Sequence, residues 1–186
     1  MDLSSTRILV SNDDGIHAPG LKIMEKIARS LSKDVWVVAP ETEQSASGHS
    51  LTLTVPLRVR KASARKFAVN GTPTDCVLLA VNHIMRDFRP DLVLSGVNAG
   101  GNLGEDVTYS GTVAAAMEAA LLGIPAIALS QVRKNGSPVR WSTAEHHGAD
   151  IVRRLTGQGW PENVLMNANF PDIPHDNIKG VRATRQ

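Results

Sequence analysis

Brief apolar runs alternate with longer amphipathic stretches along this chain. Ile8-Leu9-Val10, Val35 to Ala39, Leu92-Val93-Leu94 and Ala126 to Leu129 are unbroken aliphatic or near-aliphatic segments, the pattern of strands covered on both faces. Between them the period changes to that of a helix. Pro19-Gly20 opens a segment in which Leu21, Met24, Ile27, Ala28 and Leu31 share one face. Gly71-Thr72-Pro73-Thr74-Asp75 leads into a second, with Thr72 or Thr74 as N-cap and a stripe of Val77, Leu78, Val81, Ile84 and Met85. Further helices are predicted over Ser110 to Leu122 and Thr143 to Leu155. Leu51 to Val59 alternates like a half-exposed strand that pairs with Lys66 to Val69 as an antiparallel edge or flap. Two short strands, near Val164–Met166 and Val181–Ala183, complete the pattern.

Strands separated by helices of this length require right-handed crossovers. The predicted fold is therefore α/β: a three-layer, Rossmann-like, mostly parallel sheet with helices on both faces, plus a small antiparallel flap. Ligands of such sheets bind outside the carboxyl ends of the strands. Three of the four buried runs end there in residues suited to chemistry: Asp13 and Asp14 after the first, Glu41 to Ser50 after the second, Ser95 to Asn98 after the third.

Composition narrows the setting. The 186 residues are 42% hydrophobic, enough for one domain with a sizeable core. The net charge of +2 does not demand a nucleic-acid or membrane partner. The local run Arg58, Arg60, Lys61, Arg65 and Lys66 alternates with apolar residues and reads as a solvated strand face. A single cysteine, Cys76, allows no internal disulfide and fits a reducing compartment. Met1 to Arg7 shows no signal-peptide pattern. Gly111 to Leu129 is nearly charge-free and about membrane-spanning in length. Glu118, Gly123 and Pro125 break it into a buried helix followed by a strand.

The candidate chemistry begins at Asp13-Asp14-Gly15. In a continuing strand the two carboxylates would face opposite ways, one of them into the core. Gly15 allows a turn that aims both at one point, and converging carboxylates favour a hard cation. Taken alone, the same tripeptide also serves as a capping turn. No Gly-x-Gly-x-x-Gly follows the first strand and no Gly-Lys-Ser/Thr loop occurs, so dinucleotide and P-loop sites fall away. Ser110-Gly111-Thr112 opens a helix whose free N–H groups favour an anion, although Ser110 also reads as a plain N-cap. Asp13 and Asp14, with neutral oxygens from Asn98 and a loop serine, would then face an anion cradle. That combination suits phosphate-ester hydrolysis. His17 and His49 lie near these loops and read first as ordinary loop residues, with substrate contact the minority reading. His146 and His147 are adjacent and face different ways on a helix, and His83 and His175 carry no signal.

Taken together, these residues match a known family. The chain resembles the bacterial survival protein SurE family of metal-dependent nucleoside-monophosphate phosphatases. The matching blocks are Ser11 to Ile16, Val38-Ala39-Pro40 with Ser45 to Ser50, Gly71 to Cys76, Ser95 to Gly100 with Asn102, and Tyr109 to Ala114, in the family's order. The resemblance implies one divalent cation, Mg²⁺ or Mn²⁺, held by Asp13, Asp14, Ser45 and Asn98. It implies that Asn102, Ser110, Gly111 and Thr112 hold the phosphate, with Asp13, Asn102 and Ser110 in catalytic roles. Expected substrates are nucleoside 5′- and 3′-monophosphates and short polyphosphate. A cytoplasmic homodimer or homotetramer linked to stationary-phase survival is implied as well, with neither nucleic acid nor membrane as partner. The family continues past the Ile178 to Arg185 stretch, so the expectation is a single domain, residues 1–186, lacking or truncated in a C-terminal oligomerisation segment. A nucleotide-binding sensor without turnover is the non-enzymatic alternative.

Overall fold

The computed structural model describes residues 1–134 and 136–184. Seven strands form one sheet: β1 (Arg7–Ser11), β2 (Asp34–Pro40), β3 (Val59–Ser63), β4 (Lys66–Val69), β5 (Leu92–Asn98), β6 (Ala126–Gln131) and β7 (Leu165–Phe170), in the order β3-β4-β2-β1-β5-β6-β7. Every pairing is parallel except β3 with β4. The helices are α1 (Pro19–Leu31), α2 (Pro73–Leu79, continued by a π turn at Ala80–Ile84), a single turn α3 (Asp106–Tyr109), α4 (Gly111–Leu121) and α5 (Ser142–Gln158).

Strand alternation builds two cores, one on each face. Ile8 and Val10, Val35 and Val37, Leu92 and Leu94, and Ile127 and Leu129 pack on the side of α1 and α5. Leu9, Val38, Val93, Ala126 and Ala128 pack on the opposite side, against α2 and α4. This is why the strands read as unbroken apolar runs. The helix α4 carries alanine at positions 114, 115, 116, 119 and 120, all buried, so it lies close to both the sheet and α2. No helix among the described residues is long and apolar enough to cross a membrane. Cys76 is buried in α2, and burial pushes its thiol pKa up.

From β1 the chain steps outward to β2 and β4 on one side, then returns to place β5 on the other. The crevice between the carboxyl ends of β1 and β5 is thus the topological switch point, where parallel sheets bind ligands. The first turn of α1 presses on its floor: a Cβ on Gly20 would sit 1.9 Å from the Val97 carbonyl oxygen.

Two strand expectations need correction. Leu51 to Arg58 forms no strand; pairing starts at Val59, and the antiparallel partner of β4 is Val59–Ser63. Pro56 interrupts the alternation and offers no N–H to a ladder. Val181–Ala183 has no regular structure, while Arg185 lies outside the described residues. The last strand begins one residue later than expected and extends to Phe170. The basic run does lie on β3, β4 and their flanks, where Arg60 pairs with Glu41, Arg65 with Asp34 and Lys66 with Glu25.

Candidate active site

A cleft of about 630 Å³ opens at the switch point. Asp13 and Asp14 from the end of β1, Ser45 from the loop after β2, Asn98 from the end of β5, Asn102, and Ser110 at the start of α4 all line it. These residues belong to separate crossover units, and the topology alone brings them together.

Asp13 is 5% exposed and sits against the first turn of α4, where the Thr112 hydroxyl donates to its Oδ1. Contact there is close: a Cβ on Gly111 would lie 2.7 Å from the Asp13 Cβ and 3.1 Å from Pro73 Cγ. Only glycine fits. The neighbouring loop also follows Asp13, whose carbonyl accepts from the Gln44 N–H at 2.7 Å. Asp14 Oδ2 accepts from the Ala99 N–H at 3.2 Å, tying the two strand ends together. The Asn98 carboxamide donates through Nδ2 to the Gly100 carbonyl at 3.0 Å, and its oxygen accepts no bond among the described residues.

Burial raises the pKa of Asp13 above the usual carboxylate range, against the lowering effect of the Thr112 hydrogen bond. Asp14 is pushed up to about 6, by burial first and by Asp13 second. Glu43 raises both, and Arg133 opposes only weakly at Asp14. Among the described residues no ion pair reaches either carboxylate. The lining holds, among the described residues, four carboxylates, from Asp13, Asp14, Glu43 and Asp106, against one cation, Arg133. One buried and one half-buried carboxylate, crowded together without a counter-ion among the described residues, are stabilised by a hard cation, so this oxygen set fits Mg²⁺ or Mn²⁺. It is a lean set: among the described residues no three His, Cys, Asp or Glu side chains cluster as metal ligands. Asn98 and Ser45 would have to complete it. The Ser45 hydroxyl, at an exposed position, now donates to Glu43 Oε1 at 2.6 Å.

The expected phosphate side divides in two. Ser110 lines the cleft while its Oγ caps α4 by accepting from the Val113 N–H at 3.1 Å. Gly111 and Thr112 stand behind it, engaged with Asp13. Asn102 is 5% exposed, and its Nδ2 donates to Ser130 Oγ at 2.8 Å. Its backbone is clamped from β7: the Asn102 N–H donates to Asn169 Oδ1 at 2.8 Å, and its carbonyl accepts from Asn167 and Asn169. Sequence reasoning missed this clamp, whose only trace was asparagine at alternate positions of a short strand. Of the two histidines near the loops, His49 is bonded to Glu118 at 2.8 Å.

A family model described as survival protein SurE matches residues 8–186. The chain belongs to the SurE family. Among its relatives, the 5′-nucleotidase SurE of Paramagnetospirillum magneticum is 66% identical over 185 residues, covering 100% of this chain and 71% of that protein. The 5′-nucleotidase SurE of Parvibaculum lavamentivorans is 63% identical, covering 98% of this chain and 66% of its own length. The crystal structure of the SurE protein from Aquifex aeolicus superposes with a TM-score of 0.89 at 44% identity, covering 97% of this chain and 72% of that one. The SurE match runs through all the strands that build the cleft.

Proposed function

We propose that this SurE chain is a metal-dependent phosphomonoesterase that releases phosphate from nucleoside 5′-monophosphates, with 3′-monophosphates and short polyphosphate as further substrates. One observation carries the reading. Asp13, buried, and Asp14, half-buried, stand side by side with no ion-pair partner among the described residues, in a cleft shared with Asn98, Asn102 and Ser110. The names of the two bacterial relatives support the substrate class.

Asp13, Asp14, Asn98 and Ser45 are the residues proposed to hold one divalent ion. When bound, that ion compensates the carboxylates and supplies Lewis acidity toward the phosphate ester. Asp13, fixed by Thr112, orients the attacking water and accepts its proton. Water oxygen bonds to phosphorus as the bond to the nucleoside oxygen breaks, and the nucleoside leaves with a proton on that oxygen. The Asn102 amide and the start of α4 at Ser110 stabilise charge on the phosphoryl oxygens. Asp14 and Asn98 hold the ion.

The test is phosphate release from a panel of nucleotides by chelator-treated protein, with and without Mg²⁺ or Mn²⁺. Release restored by the ion supports the proposal. Tight nucleotide binding without release replaces it with a sensor.

A further inference from the structure

Glu118 is the one charged residue on α4, a largely apolar and mostly buried helix. It sits midway along α4, is 8% exposed, and plays no part in the reaction described above. Among the described residues, its carboxylate has one hydrogen-bond partner: His49 donates through Nε2 to Glu118 Oε2 at 2.8 Å. His49 comes from the loop between Glu41 and Ser50, a connection across 69 positions in the chain. That loop also bears Ser45.

The loop is held in an unrelaxed shape. Ala46, immediately after Ser45, adopts a left-handed φ of 59°, and Gly48 follows at 53°. A non-glycine residue persists there only where its surroundings over-determine it. The loop's ends are held by the Glu41 N–H to the Val69 carbonyl at 2.8 Å, by Arg60 on Glu41 and by the Thr72 hydroxyl donating to the Ser50 carbonyl at 2.7 Å. Between them the backbone is anchored by Gln44 N–H to the Asp13 carbonyl at 2.7 Å and Gly48 N–H to the Tyr109 carbonyl at 3.2 Å. His49 follows the Gly48 anchor directly and supplies the side-chain bond that fastens the loop to α4, the helix whose first turn holds Asp13.

From this geometry we infer that His49 is a positioning residue: its bond to Glu118 latches the loop onto α4 so that Ser45 is presented to the ion shared with Asp13 and Asp14. The inference rests on the phosphatase reading for the purpose of Ser45. The bond itself does not depend on it. Releasing the latch lets Ala46 return to an ordinary backbone conformation and carries the Ser45 hydroxyl away from the carboxylates. The fold stays intact, because the loop contributes little to either core.

The experiment is calorimetric titration of Mn²⁺ into chelator-treated wild type, H49A, H49Q and H49A/E118L, alongside amide exchange of residues 44–50 and thermal melts. H49A leaves a buried carboxylate unpaired and loses stability for that reason alone. H49A/E118L removes that penalty, so its melting temperature returns toward wild type. Its Mn²⁺ affinity should nevertheless remain weaker by about tenfold or more, the usual effect of losing an outer support of a metal ligand. Loop amides should exchange faster in both. H49Q, which keeps a donor, should bind close to wild type. A double variant with wild-type Mn²⁺ affinity overturns the latch, and so does an H49Q variant as weak as H49A. Wild-type protein that takes up no Mn²⁺ defeats the phosphatase reading itself, a failure distinguishable from the other two.

Discussion

Thr112 donates its hydroxyl to Asp13, joining the first turn of α4 to the end of β1 across 99 positions of the chain. The bond fixes a buried carboxylate whose pKa burial raises and the Thr112 hydroxyl lowers. Thr112→Val keeps the shape and removes the donor. Folding stability at neutral pH should fall by about 1–3 kcal/mol, and kcat/KM by about tenfold. Thr112→Ser should restore most of both. Thermal melts and steady-state kinetics on the two variants check this.

Gly111→Ala should destabilise the protein by about 1–3 kcal/mol, the usual effect of overpacking. Helix propensity alone would give the opposite sign, since alanine exceeds glycine by about 1 kcal/mol within a helix. The added methyl would strike Asp13 and Pro73. A urea midpoint above wild type would show that the contact is slack.

Asp13→Asn should lower kcat by about a hundredfold or more, weaken Mn²⁺ binding and leave the ion-free protein at least as stable as wild type. Burial disfavours the charge that Asn lacks. Phosphate release, calorimetry and a melt in chelator test the three parts. Wild-type turnover would remove Asp13 from the reaction.

The pH dependence follows from Asp14, whose carboxyl moves from 3.8 to about 6. In ion-free protein the folded state keeps this proton after the unfolded chain has lost it. Stability from this group is therefore full below the unfolded value and declines as pH rises through about 6. Mn²⁺ requires the deprotonated form, so its stabilising effect grows over the same window. Melting temperatures with and without Mn²⁺ should nearly coincide at about pH 5 and diverge to a plateau above about pH 7. A constant difference would contradict this.

Asn169→Ala removes two of the bonds that hold the Asn102 backbone. It should reduce kcat/KM by about tenfold, as expected for a positioning group, with unchanged Mn²⁺ affinity. Kinetics and calorimetry separate the two effects. Reduced Mn²⁺ binding would place Asn102 with the ion instead.

Much of this architecture is legible in the letters because β1, β2, β5 and β6 are buried on both faces and so lose their polar positions. The turn at Asp13-Asp14-Gly15 is equally plain, since two acids cannot continue a buried strand. Thr72 does cap α2, with Asp75 returning the bond to its N–H. Other features leave weaker marks. All five residues of β3 are exposed, so burial imposes no pattern on it, while Leu51 to Arg58 alternates without a partner strand. The Asn167 and Asn169 clamp depends on where β7 lands beside Asn102, which local sequence does not encode. The Thr112–Asp13 bond likewise arises only when α4 docks, and Thr112 by itself reads as part of a helix start.

The 99-position span of that bond also bears on synthesis. Chains emerge from the ribosome amino end first, so Asp13 and Asp14 appear long before α4 exists to enclose them. Until then they are ordinary hydrated acids, each with little hold on a divalent ion. On the proposed reading, binding of the ion therefore awaits the docking of a helix made 99 residues later.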